Sequence, residues 1–165
     1  MRVTVIRRGE VQRFDFDREA LTTPPYPAAP ETVLPESEPR FLLVPDVAFY
    51  KTRTVEAYRS QYLDLAQAGG SNLRLDGEYL FADELPESFA GKTYRITFRH
   101  PYHPKTIARM LRSRGIRRIN VHRRNFPFSA EEVARSLGVS LGGTTDIFCS
   151  TSQNVPTLFF VLRID

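Results

Sequence analysis

The chain of 165 residues holds a single cysteine, Cys149, and no tryptophan. One thiol excludes an internal disulfide framework and any zinc site built from several cysteines. Long apolar runs are missing too: the longest, such as Phe41 to Val44 and Thr157 to Leu162, are far shorter than a membrane-spanning helix requires. The N-terminus alternates arginine with β-branched residues and has no apolar h-region, so no secretory signal is expected. Together these absences predict a cytoplasmic protein with no membrane partner.

Acidic residues are missing from one stretch. From Arg99 to Arg124 there are eight Arg and one Lys but no Asp or Glu, and all three histidines, His100, His103 and His122, fall in the same window. The net charge of +4 hides this: the remainder of the chain has 14 basic residues against 19 acidic ones, a net of −5. A segment at +9 within an otherwise acidic chain concentrates a positive field. Phosphate backbones are the commonest polyanion such a field meets in a cytoplasm. The bland alternative is a solvated helix face whose arginines pair with acids elsewhere in the fold. The lack of interleaved acid, and the preference for Arg over Lys, favours phosphate.

What is present suits one domain or two small ones, with 41% hydrophobic and 25% charged residues. Arg2 to Arg7 and Val11 to Phe16 read as a hairpin about Arg8-Gly9-Glu10. Six prolines between Thr22 and Pro39 predict an extended linker. Asp46 is expected to cap a helical region continuing through Thr54, with Val55, Tyr58, Tyr62 and Leu65 as its apolar stripe and Ala68-Gly69-Gly70 as its end. A strand is expected around Tyr79 to Ala82. Further on, Thr93 to Arg99 alternates Tyr94, Ile96 and Phe98 against Arg95, Thr97 and Arg99, as a half-buried strand does. Pro104 opens a helix that Gly115 stops, and Arg117 to Arg123 is a strand with Ile119 and Val121 on one face. Ser129 and Glu132 form a capping box for a helix ending near Gly138. Gly142-Gly143 is read as the turn into a strand at Ile147 to Ser150, and Thr157 to Ile164 returns. The order β-α-β-α-β-β predicts an α/β (α+β) sandwich after an N-terminal hairpin and a helical subdomain. The expected divisions are 1–40, 41–92 and 93–165.

On the helix after Pro104, Lys105, Arg109 and Arg112 are spaced four and three apart on one face, with Ile107 and Leu111 on another. The strand that follows points Arg118, Asn120 and His122 away from Ile119 and Val121. Arg123-Arg124-Asn125-Phe126-Pro127-Phe128 adds two guanidiniums, an amide and two rings in a loop. Guanidinium forks for phosphates and rings for unstacked bases are tools of RNA binding. The plain alternative for Phe126 and Phe128 is a hydrophobic staple entering the next helix. Three histidines in one window raise a zinc site or a general base. His100 and His103 lack helical spacing, no carboxylate lies near in sequence, and the surroundings are cationic, so partial protonation at an anion site is the better reading.

Two motifs are set aside. Thr23-Pro24-Pro25-Tyr26 resembles the Asp/Asn-Pro-Pro-aromatic tetrapeptide of amino-methyltransferases, but lacks the Asp or Asn and sits in the linker. Leu137 to Gly143 contains glycines, but they follow a helix instead of leading from a strand into one, so this is no dinucleotide or adenosylmethionine loop. Cys149 reads as a buried structural thiol, and Ser150, Thr151 and Ser152 have no evident His/Asp arrangement for nucleophilic catalysis.

Several segments together resemble a known family. They are Pro101-Tyr102-His103-Pro104, Gly115 to Val121, Arg124-Asn125-Phe126-Pro127, Ser129-Ala130-Glu131-Glu132, and Gly142-Gly143 with Phe148. In combination they are similar to the THUMP-like domain that closes a family of class I S-adenosylmethionine-dependent methyltransferases common in Bacteroidetes. Val44-Pro45-Asp46-Val47-Ala48 with Lys51, and Phe89-Ala90-Gly91-Lys92-Thr93-Tyr94, resemble the subdomain before it, where Val44 and Ala90 depart from the usual pattern. The resemblance covers most of residues 41 to 164. It implies an RNA-binding accessory domain that presents structured RNA (tRNA or rRNA) to a methyltransferase catalytic domain, in cis or in trans. S-adenosylmethionine would belong to that catalytic domain, with no cofactor and no catalytic residue in this chain. The expected RNA contacts are Lys105, Arg109, Arg112, Arg118, His122, Arg123 and Arg124, with Tyr102 or Phe126 for stacking. A protein-interaction domain docking on a separate catalytic subunit through the same arginines is the alternative. The chain is then either a fragment of a longer enzyme or a free-standing relative.

Overall fold

The computed structural model describes residues 1–17, 39–63, 73–76 and 78–164. Among these the fold is mixed α/β: an N-terminal hairpin and short helices, then a seven-strand mixed sheet with helices. The first elements are β1 (Arg2–Arg7), β2 (Glu10–Asp15), β3 (Phe41–Pro45), α1 (Val47–Lys51), α2 (Val55–Tyr58), β4 (Arg74–Asp76) and β5 (Tyr79–Ala82). Then come β6 (Gly91–Pro101), α3 (Pro104–Ser113), β7 (Arg118–Arg123), α4 (Ala130–Leu137), β8 (Ser140–Ser152) and β9 (Val155–Arg163). None of the described helices is long and apolar enough to cross a membrane. The chain forms two compact units, Met1–Arg74 with Leu80–Lys92, and Leu75–Tyr79 with Thr93–Asp165. The expected linker up to residue 38, with its Thr23-Pro24-Pro25-Tyr26 motif, lies outside the described residues, as do Leu65 and the Ala68-Gly69-Gly70 stop.

In the first unit, β1 and β2 pair antiparallel as expected. Arg8 and Gly9 both take positive φ, 50° and 85°, which is the two-residue turn that matches strand twist. Val3 and Val5 are buried, and the Phe14 ring meets Phe49, Tyr58 and Tyr62 edge-on, each at 5.1 Å. Phe49 stacks on Tyr58 at 4.2 Å. The Tyr58 hydroxyl accepts the Ala90 N–H at 2.8 Å, and burial pushes its phenol up to about 12. Phe41–Pro45, which carries no polar alternation, is a strand paired antiparallel to β5.

The helix expected to continue from Asp46 through Thr54 is broken instead. Asp46 caps as anticipated, its carboxylate accepting from the Ala48 N–H at 2.9 Å. Arg53 then turns to a φ of 56°, its N–H reaching the Tyr50 carbonyl and the Thr54 N–H reaching that of Phe49. Those two bonds close a Schellman motif. The Thr52 hydroxyl donates to the Ala48 carbonyl at 2.7 Å and satisfies another helix-end acceptor. Glu56-bearing α2 restarts the chain and passes into a single π-turn, Arg59–Leu63.

In the second unit the strands lie in the order β6-β9-β8-β7. β7 and β8 are parallel, and the other pairs antiparallel. Helices α3 and α4 cover one face, where Ile107, Leu111, Val133 and Leu137 meet Ile119, Ile147, Cys149, Leu158 and Phe160. The β-α-β-α-β-β order and the Ser129/Glu132 capping box are as the sequence predicts. On the other face Phe148 packs against Tyr94 at 4.8 Å and Tyr79 at 5.3 Å.

Two bulges overturn details of the strand reading. The β6–β9 register shifts between Ile96 and Phe98, where the Thr97 hydroxyl donates to the Phe160 carbonyl. One extra residue flips every later side chain to the opposite face. Phe98 therefore joins the helix-side core, not the Tyr94 and Ile96 face. The second bulge lies in β8, which begins at Ser140 rather than Ile147. Ile119 is in register with Leu141 and Asn120 with Asp146, so Gly142-Gly143 belongs to a bulge inside the strand and is not a turn before it.

Candidate nucleic-acid interface

Helix α3 starts at Pro104 behind an extended His103 and has neither a side-chain cap nor an acid in its first turn. Ile107 and Leu111 are buried, and Lys105, Arg109 and Arg112 are exposed on the opposite side of the helix. Among the described residues none of these three cations makes an ion pair. Arg112 in the last turn complements the helix dipole, whereas Lys105 at the N-terminus opposes it. The stripe is a solvated row of positive charge with no acid answering it among the described residues.

The β7 cations do not all share that surface. Ile119 belongs to the helix-side core and Val121 packs against it, so alternation puts Arg118, Asn120 and His122 on the other face of the sheet. The cations of α3 and those of Arg118 and His122 thus lie on opposite faces of the sheet. His122 stacks on Phe148 at 4.5 Å, and its Nε2 lies 2.9 Å from Asp146 Oδ1. Asn120 Nδ2 donates to the Gly143 carbonyl at 2.8 Å and to Asp146 at 3.2 Å. Arg124 faces Glu78 at 3.6 Å. Arg123 is exposed, and its charge reaches Glu132, whose carboxyl is held below the usual range chiefly by the Ser129 N–H, then the Ser129 hydroxyl. The acid-free window in sequence is therefore answered by acids in space around His122, Arg123 and Arg124, but among the described residues not on α3.

The aromatic expectation needs correcting. Phe126 is only 7% exposed and sits in the helix-side core, so it cannot present a face to a base. Tyr102 is half-buried against Phe126 at 5.4 Å and Phe128 at 5.2 Å, and its hydroxyl bonds Ser136. Ser136 spends its own proton on the Val133 carbonyl, so the phenol is the donor. The exposed ring is Phe128, at 39%.

His100 lies against the Pro101 carbonyl and edge-on to His103 at 5.8 Å. Among the described residues no three His, Cys, Asp or Glu side chains gather to hold a metal ion. Cys149 is buried, which pushes its thiol up to about 12, far from a nucleophile's range. The strand-to-helix turns of this unit, Pro101 to Pro104 and Arg124 to Ser129, contain no glycine. They do not fit a glycine-rich nucleotide loop of the kind an adenosyl cofactor needs.

Comparison with known proteins bears on the same unit. No curated protein matches the chain. A crystal structure described as a "putative methyltransferase from Porphyromonas gingivalis W83" shares its fold with a TM-score of 0.60 and 16% sequence identity, over 78% of this chain and 30% of that one. The chain thus spans less than a third of that protein's length. A crystal structure of a 4-thiouridine synthetase–RNA complex with bound ATP aligns over 78% of this chain and 42% of that one, with a TM-score of 0.42 and 11% identity. The family model described as "THUMP domain-like" matches residues 91–163. The segment matched by that model runs from β6 to β9 and covers under half of the chain.

Proposed function

We propose that the THUMP-like domain binds structured RNA, tRNA or rRNA, and presents it to an S-adenosylmethionine-dependent methyltransferase domain, in cis or in trans. The observation that carries the reading is the α3 stripe, where Lys105, Arg109 and Arg112 stand exposed without an acid partner among the described residues. Unpaired cations in a row release condensed counterions when they meet a phosphate backbone, which is a sequence-independent source of affinity. Arg118, Arg123 and Arg124 extend the contact, while His122 and Tyr102 serve the framework and Phe126 the core. The methyltransferase half of the reading rests on the family resemblance and on the fold shared with the Porphyromonas gingivalis structure. S-adenosylmethionine is assigned to that catalytic domain.

The test is binding of an unmodified tRNA transcript across a salt series. The wild-type chain is expected to bind at low salt with affinity falling steeply as salt rises. Arg109→Glu with Arg112→Glu should flatten the slope of log K against log salt by about 2 and weaken binding at least ~10-fold. Absence of RNA binding at low salt removes the proposal, and binding untouched by that pair removes the α3 stripe as its contact.

A further inference from the structure

The β8 bulge lies against Arg118, whose side chain is on the face of the sheet away from α3. Between the registered pairs Ile119↔Leu141 and Asn120↔Asp146, the residues Gly142, Gly143, Thr144 and Thr145 project from the β7–β8 ladder. β7 ends the sheet, so the bulge sits at an edge among the described strands. The guanidinium of Arg118 lies over it, with Nη2 3.3 Å from where a Cβ on Gly142 would stand. Gly143 comes closer still, its Cβ position 2.8 Å from the Arg118 carbonyl oxygen. Only glycines allow a backbone to approach an arginine in this way.

Charge on this notch is arranged for an anion. The Gly143 carbonyl, which would repel one, is occupied by Asn120 Nδ2 at 2.8 Å. The nearest acid in the strand, Asp146, gives its Oδ1 to Asn120 and His122 and not to Arg118. Arg118 is exposed and makes no ion pair among the described residues. Arg117 precedes it, and Gly138 to Thr145 contains no Asp or Glu. A guanidinium over glycine backbone offers forked donors to a tetrahedral oxyanion.

We infer that Arg118 and the Gly142–Thr145 bulge form a binding notch for one phosphodiester group of an RNA backbone. The inference rests on the RNA-binding reading and gives it a second, separate point of contact. Lys at the position supplies charge but not the fork, so the conservative change is informative.

The experiment compares wild type, Arg118→Gln, Arg118→Lys and Arg109→Glu/Arg112→Glu on one tRNA transcript over a salt series, with thermal melts as the folding control. Arg118→Gln should flatten the salt slope by about 1 and weaken binding about fivefold, with an unchanged melt. Arg118→Lys should keep the slope and still lose affinity, which identifies a fork and not a diffuse charge. Slope and affinity unchanged in Arg118→Gln, while the α3 pair weakens binding, overturns the notch and leaves the RNA reading intact. A loss in Arg118→Gln with no effect of the α3 pair supports the notch and overturns the α3 assignment. Full rescue by Arg118→Lys overturns the notch as a shaped site.

Discussion

A Cβ placed on Gly143 would stand 2.8 Å from the carbonyl oxygen of Arg118 and 3.0 Å from the arginine's own Cβ. Both are fixed parts of β7, so the strands would have to separate. Gly143→Ala is therefore expected to destabilise the second unit by about 1–3 kcal/mol, the usual cost of overpacking. Denaturant titration followed by far-UV circular dichroism measures it. A midpoint within error of wild type would mean that β7 and β8 do not approach as closely as described.

That bulge also shows where the sequence stops being legible. Glycine pairs signal a tight backbone, but not whether it turns before a strand or swells within one. The difference is set by Ile119 pairing with Leu141 and Asn120 with Asp146, which are contacts remote in sequence. Helix ends show the same limit. Gly115 and Gly138, at φ of 69° and 67°, end α3 and α4 and are readable because glycine enters that region freely. Arg53 performs the identical turn after α1 at φ 56°, with no compositional mark, so the break there was hidden. The α3 stripe was legible because helical spacing fixes its outer face from sequence alone. The face assignment of Arg118 and His122 follows from strand alternation. That this face is opposite to α3 depends on packing, as does the fate of Phe126.

Tyr58 is expected to matter through its hydroxyl. The group accepts the buried Ala90 N–H at 2.8 Å, and burial raises its phenol from 10.0 to about 12. The rise comes from burial, so the stability of the buried neutral phenol is fully present below pH 10 and is lost as pH climbs toward about 12. Tyr58→Phe leaves the amide without an acceptor and should cost about 1–3 kcal/mol at neutral pH. The variant should also lose less stability than wild type over the alkaline range. Urea unfolding at neutral and alkaline pH checks both; equal neutral stability would contradict the hydrogen bond, and an equal alkaline decline the burial of the phenol.

The pairing of Arg124 with Glu78 at 3.6 Å yields a prediction opposite in sign to the arginine deletions. Glu78 withholds part of one guanidinium from any polyanion. Glu78→Gln should release it, tightening binding to the tRNA transcript at low salt and steepening the slope of log K against log salt by up to about 1. The gain should shrink as salt rises, because both the ion pair and the RNA contact are screened. A general gain in net charge would produce a similar trend, so Glu131→Gln is the control. Glu131 is exposed in the first turn of α4, and its loss raises the charge of the chain equally. If both variants tighten binding to the same extent, the effect is net charge and Arg124 is no contact. A gain confined to Glu78→Gln places Arg124 against the RNA.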